Sequence, residues 1–381
     1  MSSEARDLSG KKADLAGPGV STYPAVDKIL PTDYDPVLGP KDTQKAIAAI
    51  KEHIEHGLSE ELNIFRVECP LILTKACGMN DYLDRDGSRT PVDFQAGLGL
   101  DKRIDAQIVQ AATKWKRWAL KQFECGVGEG ILTDMRAVRK DYFLDHDHSS
   151  YVDQWDWELV ITDKDRNLEF LKKVVNKLWK VLRGAGEVAR KMYPQLVGKF
   201  PDFPEELVFL HAEEILDMYP DLPRKQRETA ILQKYPAVFI IGIGWTLEDG
   251  YPHEMRAADY DDWVTPTVEK NGKLMHGING DILVWNPVTK RRHELSSMGI
   301  RVTKDTLVDQ LKRTGQEHFL ELPYHKMILA DEIPLSVGGG IGQSRVYQYF
   351  LRKAALGECS VTIWPEQLHE ICNKHNISLL R

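Results

Sequence analysis

The residues able to do chemistry in this 381-residue chain lie in a few separated stretches. Tyr151-Val-Asp-Gln-Trp-Asp-Trp-Glu-Leu-Val-Ile alternates with the period of a strand. Tyr151, Asp153, Trp155, Trp157 and Leu159 then share one face, and Gln154, Asp156 and Glu158 the other. Val152 and Val160 bracket the polar row. A surface strand also shows a polar face, but a polar row inside an apolar pattern is better explained as a pocket floor. Its oxygens can grip an ammonium group and orient amides.

Downstream, Gly280-Asp281-Ile-Leu-Val-Trp-Asn-Pro and Arg292-His-Glu294-Leu-Ser296-Ser297-Met-Gly-Ile-Arg301-Val read as a hairpin turning across residues 287–291. Strict alternation puts Glu294 and Ser296 on one face, and Ser297 and Arg301 on the other. For all four to serve one site, a bulge is needed near the serine pair or Gly299. Ala111-Ala-Thr-Lys-Trp-Lys-Arg-Trp118 mixes aromatic and basic residues, as a solvated helix face or a phosphate site would. Asp81 follows Gly78-Met-Asn in a loop, where a turn or cap role is the ordinary one. Arg136 and Arg139 end a predicted strand over 131–139. Val337-Gly-Gly-Gly-Ile-Gly-Gln-Ser-Arg345 reads as a flexible turn bringing backbone close to a partner and placing Arg345 in the first turn of a helix.

Around these stretches, Pro40 opens a helix with Ile47, Ile50, Ile54, Leu58 and Leu62 on one stripe, and 168–189 is a second amphipathic helix. A strand is predicted over 65–73 with Pro70 at an edge or bulge, and a short one over 207–210. Ala237-Val-Phe-Ile-Ile-Gly-Ile-Gly244 reads as a fully buried central strand. Helical segments are expected near 212–219, 223–235, 305–314 and 319–328, with a final strand over 360–364. Hairpins alternate with long helices and no βαβ repeat appears. The fold class is therefore α+β, a mainly antiparallel sheet flanked by helices. Residues 1–38, rich in Gly, Pro, Ser, Asp and Lys, are expected as a flexible N-terminal extension, and 39–381 as a single domain.

A composition of 42% hydrophobic and 28% charged residues suits a soluble protein with a large core. The net charge of −7 argues against a long nucleic-acid backbone as main partner. Five cysteines, an odd number without a CxxC pair, fit reduced thiols of the cytoplasm better than disulfides or a zinc site. No apolar run has the length of a membrane span, and the N-terminus lacks a signal-peptide core. The glycine run fails the dinucleotide fingerprint, since Gln343 stands where its last glycine belongs. A P-loop is absent, and the Asp-His-Asp-His of 145–148 reads as a turn before a metal site. No N-terminal cysteine or Gly-x-Cys-x-Gly elbow indicates an ammonia-generating glutaminase.

Taken in order, Tyr151–Glu158, Gly280–Pro287, Glu294–Arg301 and Gly338–Arg345 closely resemble the ammonia-dependent asparagine synthetases of type A, the aspartate–ammonia ligases. Shorter stretches at 113–117, 128–130, 241–244 and 260–263 extend the resemblance from about residue 40 to the C-terminus. The family is similar in fold to the catalytic domain of class II aminoacyl-tRNA synthetases. The resemblance implies a homodimer that converts aspartate, ATP and ammonia to asparagine through a β-aspartyl-adenylate, releasing AMP and pyrophosphate. It implies that Arg139 holds the α-phosphate, and that Arg345 stacks on adenine or neutralises the outer phosphates. Glu294 and Asp281 would bind Mg2+ and the phosphate end, Ser296 and Ser297 would donate to substrate or phosphate oxygens, and Asp261 would assist at ATP. Lys116 (or Lys114), Gln154 and Asp156 would hold aspartate, Arg301 would meet a carboxylate or phosphate, and Asp81 would take the ammonium proton. A tRNA synthetase-like paralogue would need an N-terminal tRNA-binding module, for which the extension is too short. A non-catalytic regulator would be expected to lack Arg139, Glu294, Arg301 and Arg345.

Overall fold

A computed structural model describes residues 26–81, 90–99, 101–140, 144–270 and 272–381. Its centre is an eight-stranded sheet. In chain order the strands are β1 (Ile64–Val67), β2 (Gly130–Val138), β3 (Tyr151–Val160), β4 (Val208–His211), β5 (Ala237–Ile241), β6 (Asn279–Asn286), β7 (Arg291–Ile300) and β8 (Ser336–Gly342). Their spatial order is β1-β2-β3-β8-β7-β6-β5-β4. Only the outer pairs, β1 with β2 and β4 with β5, run parallel. Five helices support the functional face of this sheet or its core: α1 (Pro40–Leu62), α2 (Thr113–Gln122), α3 (Leu168–Met192), α4 (Arg224–Lys234) and α5 (Gln343–Phe350).

The alternation of β3 divides the molecule. Trp155, Trp157 and Leu159 enter a core built with the apolar stripes of α1 and α3. The α1 stripe (Ile50, Ile54, Leu58, Leu62) follows from helical spacing, with Pro40 in the first turn and Asn63 ending the helix in the left-handed conformation. Asn167 caps α3 by accepting from the Phe170 amide at 2.9 Å. The opposite face of β3 meets α2, whose Trp115, Ala119 and Leu120 join Val152 and Val160 in a second core. On that face α2 also buries Lys114, Lys116 and Arg117, which are 0%, 1% and 2% exposed. Each cation has an anionic or carbonyl partner: Asp259 for Lys114, Asp156 for Lys116, and the Val302 and Pro334 carbonyls for Arg117. These basic residues are therefore buried and paired, not on a solvated face.

The glycine run is the largest departure from expectation. It is a strand, β8, and not a loop, and it fills the middle of the sheet between β3 and β7. Its glycines are required by space. A Cβ at Gly340 would stand 2.7 Å from Asp156 Oδ1 and 2.8 Å from Gln154 Oε1, and one at Gly338 would overlap the Glu158 carboxylate. Three further expectations are corrected. Pro70 divides the strand over 65–73 into β1 and Ile72–Thr74, and the latter belongs to a separate three-stranded sheet. The strand expected over 360–364 is absent; these residues lead into a helix, Glu366–Lys374, that the sequence reading missed. The 319–328 segment is broken by Pro323 into a 3-10 turn, Glu317–Glu321, and a helix, Pro323–Leu329. β5 is fully buried as expected but lies second from the edge. The extension over 1–38 lies outside the described residues as far as 25. From Val26 onward it is docked, not loose. Leu30 and Tyr34 are buried, Tyr34 donates to Glu358 at 2.9 Å, and Lys353 donates to the Leu38 carbonyl at 2.6 Å.

Candidate active site

The polar face of β3 and the facing residues of β7 and β8 floor a cleft of about 290 Å³, closed by the loops after β2 and before β6. A β-bulge makes β7 a usable wall. The pairing passes from Ile282 opposite Ser296 to Leu283 opposite Glu294, so Leu295 is the extra residue. Glu294 is thereby brought to the face of Ser297 and Arg301. The expected bulge exists, one residue before the serine pair. Ser296 is turned toward β8, where its hydroxyl donates to the Gly340 carbonyl at 2.9 Å. Ser297 stands opposite Asp281 and hydrogen-bonds to it.

One end of the cleft suits an amino acid. Lys116 donates to Asp156 Oδ1 at 2.8 Å and to the Gly339 carbonyl at 2.7 Å. Asp156 Oδ2 is buried without a hydrogen-bond partner. Gln154 lines the same wall. Glu158, the third member of the polar row, is occupied differently: its carboxylate takes Arg301 in a two-pronged grip, at 2.9 Å from Nε and 2.8 Å from Nη2. Asp261 holds the remaining prong, Nη1, so Arg301 reaches the cleft with its orientation fixed by two carboxylates. Lys114 is directed away, into Asp259 at 2.6 Å, which decides between the two candidate lysines for the cleft. Asp81 also lines the cleft. Its Oδ2 accepts from the Thr113 amide at 3.0 Å while Oδ1 is buried and unpaired. Burial pushes its carboxyl up to about 7 against the opposing pull of Lys114. Residues 82–89, which follow in sequence, lie outside the described residues.

The other end suits phosphates. Arg139, just beyond β2, donates to the Gln110 carbonyl at 3.2 Å. Arg345, in the first turn of α5, lies 3.5 Å from Glu294 and donates to the Asp147 carbonyl at 3.4 Å. Glu254, Asp281 and Glu294 bring one oxygen each within 4.8 Å of one another. Burial pushes Asp281 up to about 7; Arg256 opposes this, while Glu294 and Glu254 add to it. Burial also opposes ionisation of Glu294, but Arg345 and Arg292 outweigh it and hold its carboxyl low. Arg256 Nη2 pairs directly with Asp281. Three converging carboxylates form a donor set suited to a hard divalent cation. In the Asp145–His148 stretch, Asp145 Oδ1 accepts the amides of Asp147 and His148 at 3.0 and 2.9 Å, and Asp145, His146 and Asp147 bring one ligand atom each within 4.8 Å of one another.

The cleft thus gathers Asp81, Lys116, Arg139, Gln154, Asp156, Asp261, Glu294, Ser296, Ser297, Arg301 and Arg345 along its lining, with Asp281 behind Ser297. Sequence reasoning missed Glu254, Arg256 and Arg292. Glu254 and Arg256 sit in a loop without periodicity, and Arg292 was read only as part of its strand. A carboxylate and an arginine two residues apart, just upstream of Asp259–Trp263, were the available signal.

The aspartate-ammonia ligase family model matches residues 41–376. The chain belongs to that family. Aspartate–ammonia ligase of Bacteroides fragilis is 46% identical over 353 residues, spanning 92% of this chain and 99% of that protein. The Bacillus cereus enzyme is 44% identical over 346 residues, 91% and 99% of the two chains. This aspartate–ammonia ligase therefore makes asparagine, and the tRNA synthetase-like and regulatory alternatives fall away. Its fold is that of class II aminoacyl-tRNA synthetase catalytic domains. Asparaginyl-tRNA synthetase from Pyrococcus horikoshii, complexed with asparaginyl-adenylate, superposes with a TM-score of 0.60 at 13% identity, covering 86% of this chain and 70% of that one. Aspartyl-tRNA synthetase from Entamoeba histolytica gives 0.54 at 14% identity, covering 84% and 57%. Among the described residues, no helix of the ligase is long and apolar enough to cross a membrane.

Proposed function

We propose that the ligase activates the β-carboxylate of aspartate as an acyl-adenylate and transfers it to ammonia, releasing pyrophosphate and then AMP. The observation that carries this reading is the pairing, in one cleft, of an amino-acid grip around Asp156 with a phosphate grip around Arg139 and Arg345. The aspartate ammonium would meet the free Oδ2 of Asp156, with Lys116 and Gln154 beside it. Arg301, its orientation fixed by Glu158 and Asp261, would meet a substrate carboxylate. Attack of the β-carboxylate oxygen on the α-phosphorus forms the mixed anhydride and breaks the bond to pyrophosphate. Arg139 would balance charge on the α-phosphate and Arg345 would stack on adenine or meet the outer phosphates. Ser297 and Asp261 would complete the ATP end as donor and orienting carboxylate. Ammonia then attacks the acyl carbon and AMP leaves. Asp81, with an unpaired oxygen and a raised proton affinity, would accept the proton shed by the nitrogen.

Glu294, Asp281 and Glu254 would hold Mg2+, which when bound neutralises phosphate charge and favours departure of pyrophosphate. The catalytic unit spans residues 39–381, works in the cytoplasm, needs no nucleic acid, and forms a homodimer. Phe65 (47% exposed), Ile72 (51%), Leu71 and Ile104 supply apolar surface around β1 and the small sheet that a second copy would cover. The deciding assay is aspartate-dependent ATP–pyrophosphate exchange, followed by ammonia-dependent formation of asparagine and AMP without tRNA. Formation of ADP and phosphate instead would overturn the adenylate route.

A further inference from the structure

The carboxylate cluster is held from behind by α4, an element with no assigned part in the reaction. α4 packs on the site face of β6 and β7 and carries Arg224, Lys225 and Glu228 toward the loop before β6. Arg224 donates to Asp249 Oδ1 at 2.8 Å and to the Pro252 carbonyl at 3.2 Å. Lys225 lies 2.6 Å from Glu254 and 3.0 Å from Glu228. Glu228 is 1% exposed and joins two parts of the site. One oxygen meets His253 Nε2 at 3.1 Å, one residue before Glu254. The other pairs with Nε of Arg292, whose Nη2 continues to Glu294 at 3.1 Å. Burial opposes the charge on Glu228, yet Arg292, Lys225 and His253 outweigh it and hold its carboxyl well below the usual range.

This arrangement has a physical purpose beyond stability. Glu254 is on a loop and Glu294 beside a bulge, so neither is held by regular hydrogen-bond geometry alone. A cation site needs both at a fixed separation, and a ligand left to swing costs affinity. We propose that Glu228 is a positioning residue of the phosphate end: through Arg292 it orients Glu294, through His253 it anchors the loop bearing Glu254, and so it sets the affinity of the cluster for a divalent cation. Lys225 belongs to the same device. It neutralises Glu254 before the cation arrives and is displaced toward Glu228 when it binds. The inference rests on the cation reading of Glu254, Asp281 and Glu294.

The test uses the full-length protein, a non-hydrolysable ATP analogue, and Mn2+ as a paramagnetic probe titrated by EPR. Three chains are compared: parent, Glu294→Gln and Glu228→Gln. Glu228→Gln keeps shape and hydrogen-bonding capacity but removes the charge that holds Arg292. It is expected to weaken Mn2+ binding about tenfold or more, in the range typical of lost outer-shell partners. Calorimetric aspartate binding should stay within about twofold, because Asp156 and Lys116 are untouched. Mn2+ binding lost in Glu294→Gln but retained in Glu228→Gln overturns the inference alone. Binding indifferent to Glu294→Gln removes the cation reading, and the inference with it. Equal weakening of aspartate and Mn2+ binding also overturns it, since that marks general disorder of the cleft. Should Glu228→Gln not fold, Arg292→Lys reads the same coupling: it keeps a charge beside Glu294 without the planar fork that reaches both carboxylates, and should weaken Mn2+ similarly.

Discussion

A methyl group at Gly338 would land on the Glu158 carboxylate and crowd Arg301, within 2.6 Å of its Nη2. Gly338→Ala must therefore move the pair that presents Arg301 to the cleft. A displacement of that size is expected to slow aspartate-dependent pyrophosphate exchange about a hundredfold, with a loss of roughly 1–3 kcal/mol in stability from overpacking. Exchange kinetics and thermal unfolding on one preparation measure both. Asp81 makes a prediction of the opposite sign for stability. Its folded carboxyl titrates near 7, against about 4 in the unfolded chain. The unfolded state therefore loses its proton first as pH rises. The contribution of Asp81 to stability is complete below about pH 4 and is lost as pH passes 7. Asp81→Asn is expected to melt about 2 °C or more above the parent at pH 8, with no gain at pH 4, and to lose the ammonia-dependent step at either pH. Calorimetry at both pH values checks the stability, and asparagine yield from preformed adenylate checks the role. At this scale the sequence told much. Type and period picked out Asp156 and Gln154, but not that Glu158 serves Arg301, because that depends on which strand becomes the neighbour.

Elements explain what single residues cannot. One extra residue in β7, Leu295, puts Glu294 on the face of Ser297 and Arg301. Inserting one alanine between Ile282 and Leu283 of β6 gives Leu295 a partner, restores strict alternation and turns Glu294 toward the α1–α3 core. Exchange activity should fall more than about a hundredfold even where circular dichroism reports an intact sheet, since a one-residue slip moves every side chain before it to the other face. The need for this bulge was legible from the spacing of Glu294, Ser297 and Arg301, and its position was narrowed to within a residue or two. The nature of β8 was not legible. Glycines in sequence signal backbone freedom and close approach alike, and only the neighbouring Asp156, Gln154 and Glu158 side chains distinguish them. The missed Glu366–Lys374 helix and the absent strand before it have a similar cause: a short apolar run beside Trp364-Pro365 reads as a strand, while its environment is set by the docked N-terminal segment.

For the whole molecule, the exposed Phe65 and Ile72 on one flank lead to a hydrodynamic prediction. Sedimentation should give about twice the 43.4 kDa chain mass, and Phe65→Glu with Ile72→Glu should shift the population toward the single chain. The docked segment adds another. Tyr34 donates to Glu358, which also accepts the amides of Ala354 and Ala355, and Leu356 within this turn lines the cleft. Tyr34→Phe removes the shared donor, and a loss of about 1–3 kcal/mol in stability is expected by chemical denaturation.

The place of β8 also bears on how the chain is made. The strand at the middle of the sheet is the last of the eight to be synthesised, and it completes β3 on one side and β7 on the other. Without residues 336–342, β3 and β7 would each lack a hydrogen-bonding partner on the edge that faces the other. The non-local pairing of the middle strand therefore comes last in the order of synthesis, the arrangement of contacts that slows folding. The sheet on either side of β8 carries part of the catalytic set, so the same strand completes the fold and the cleft.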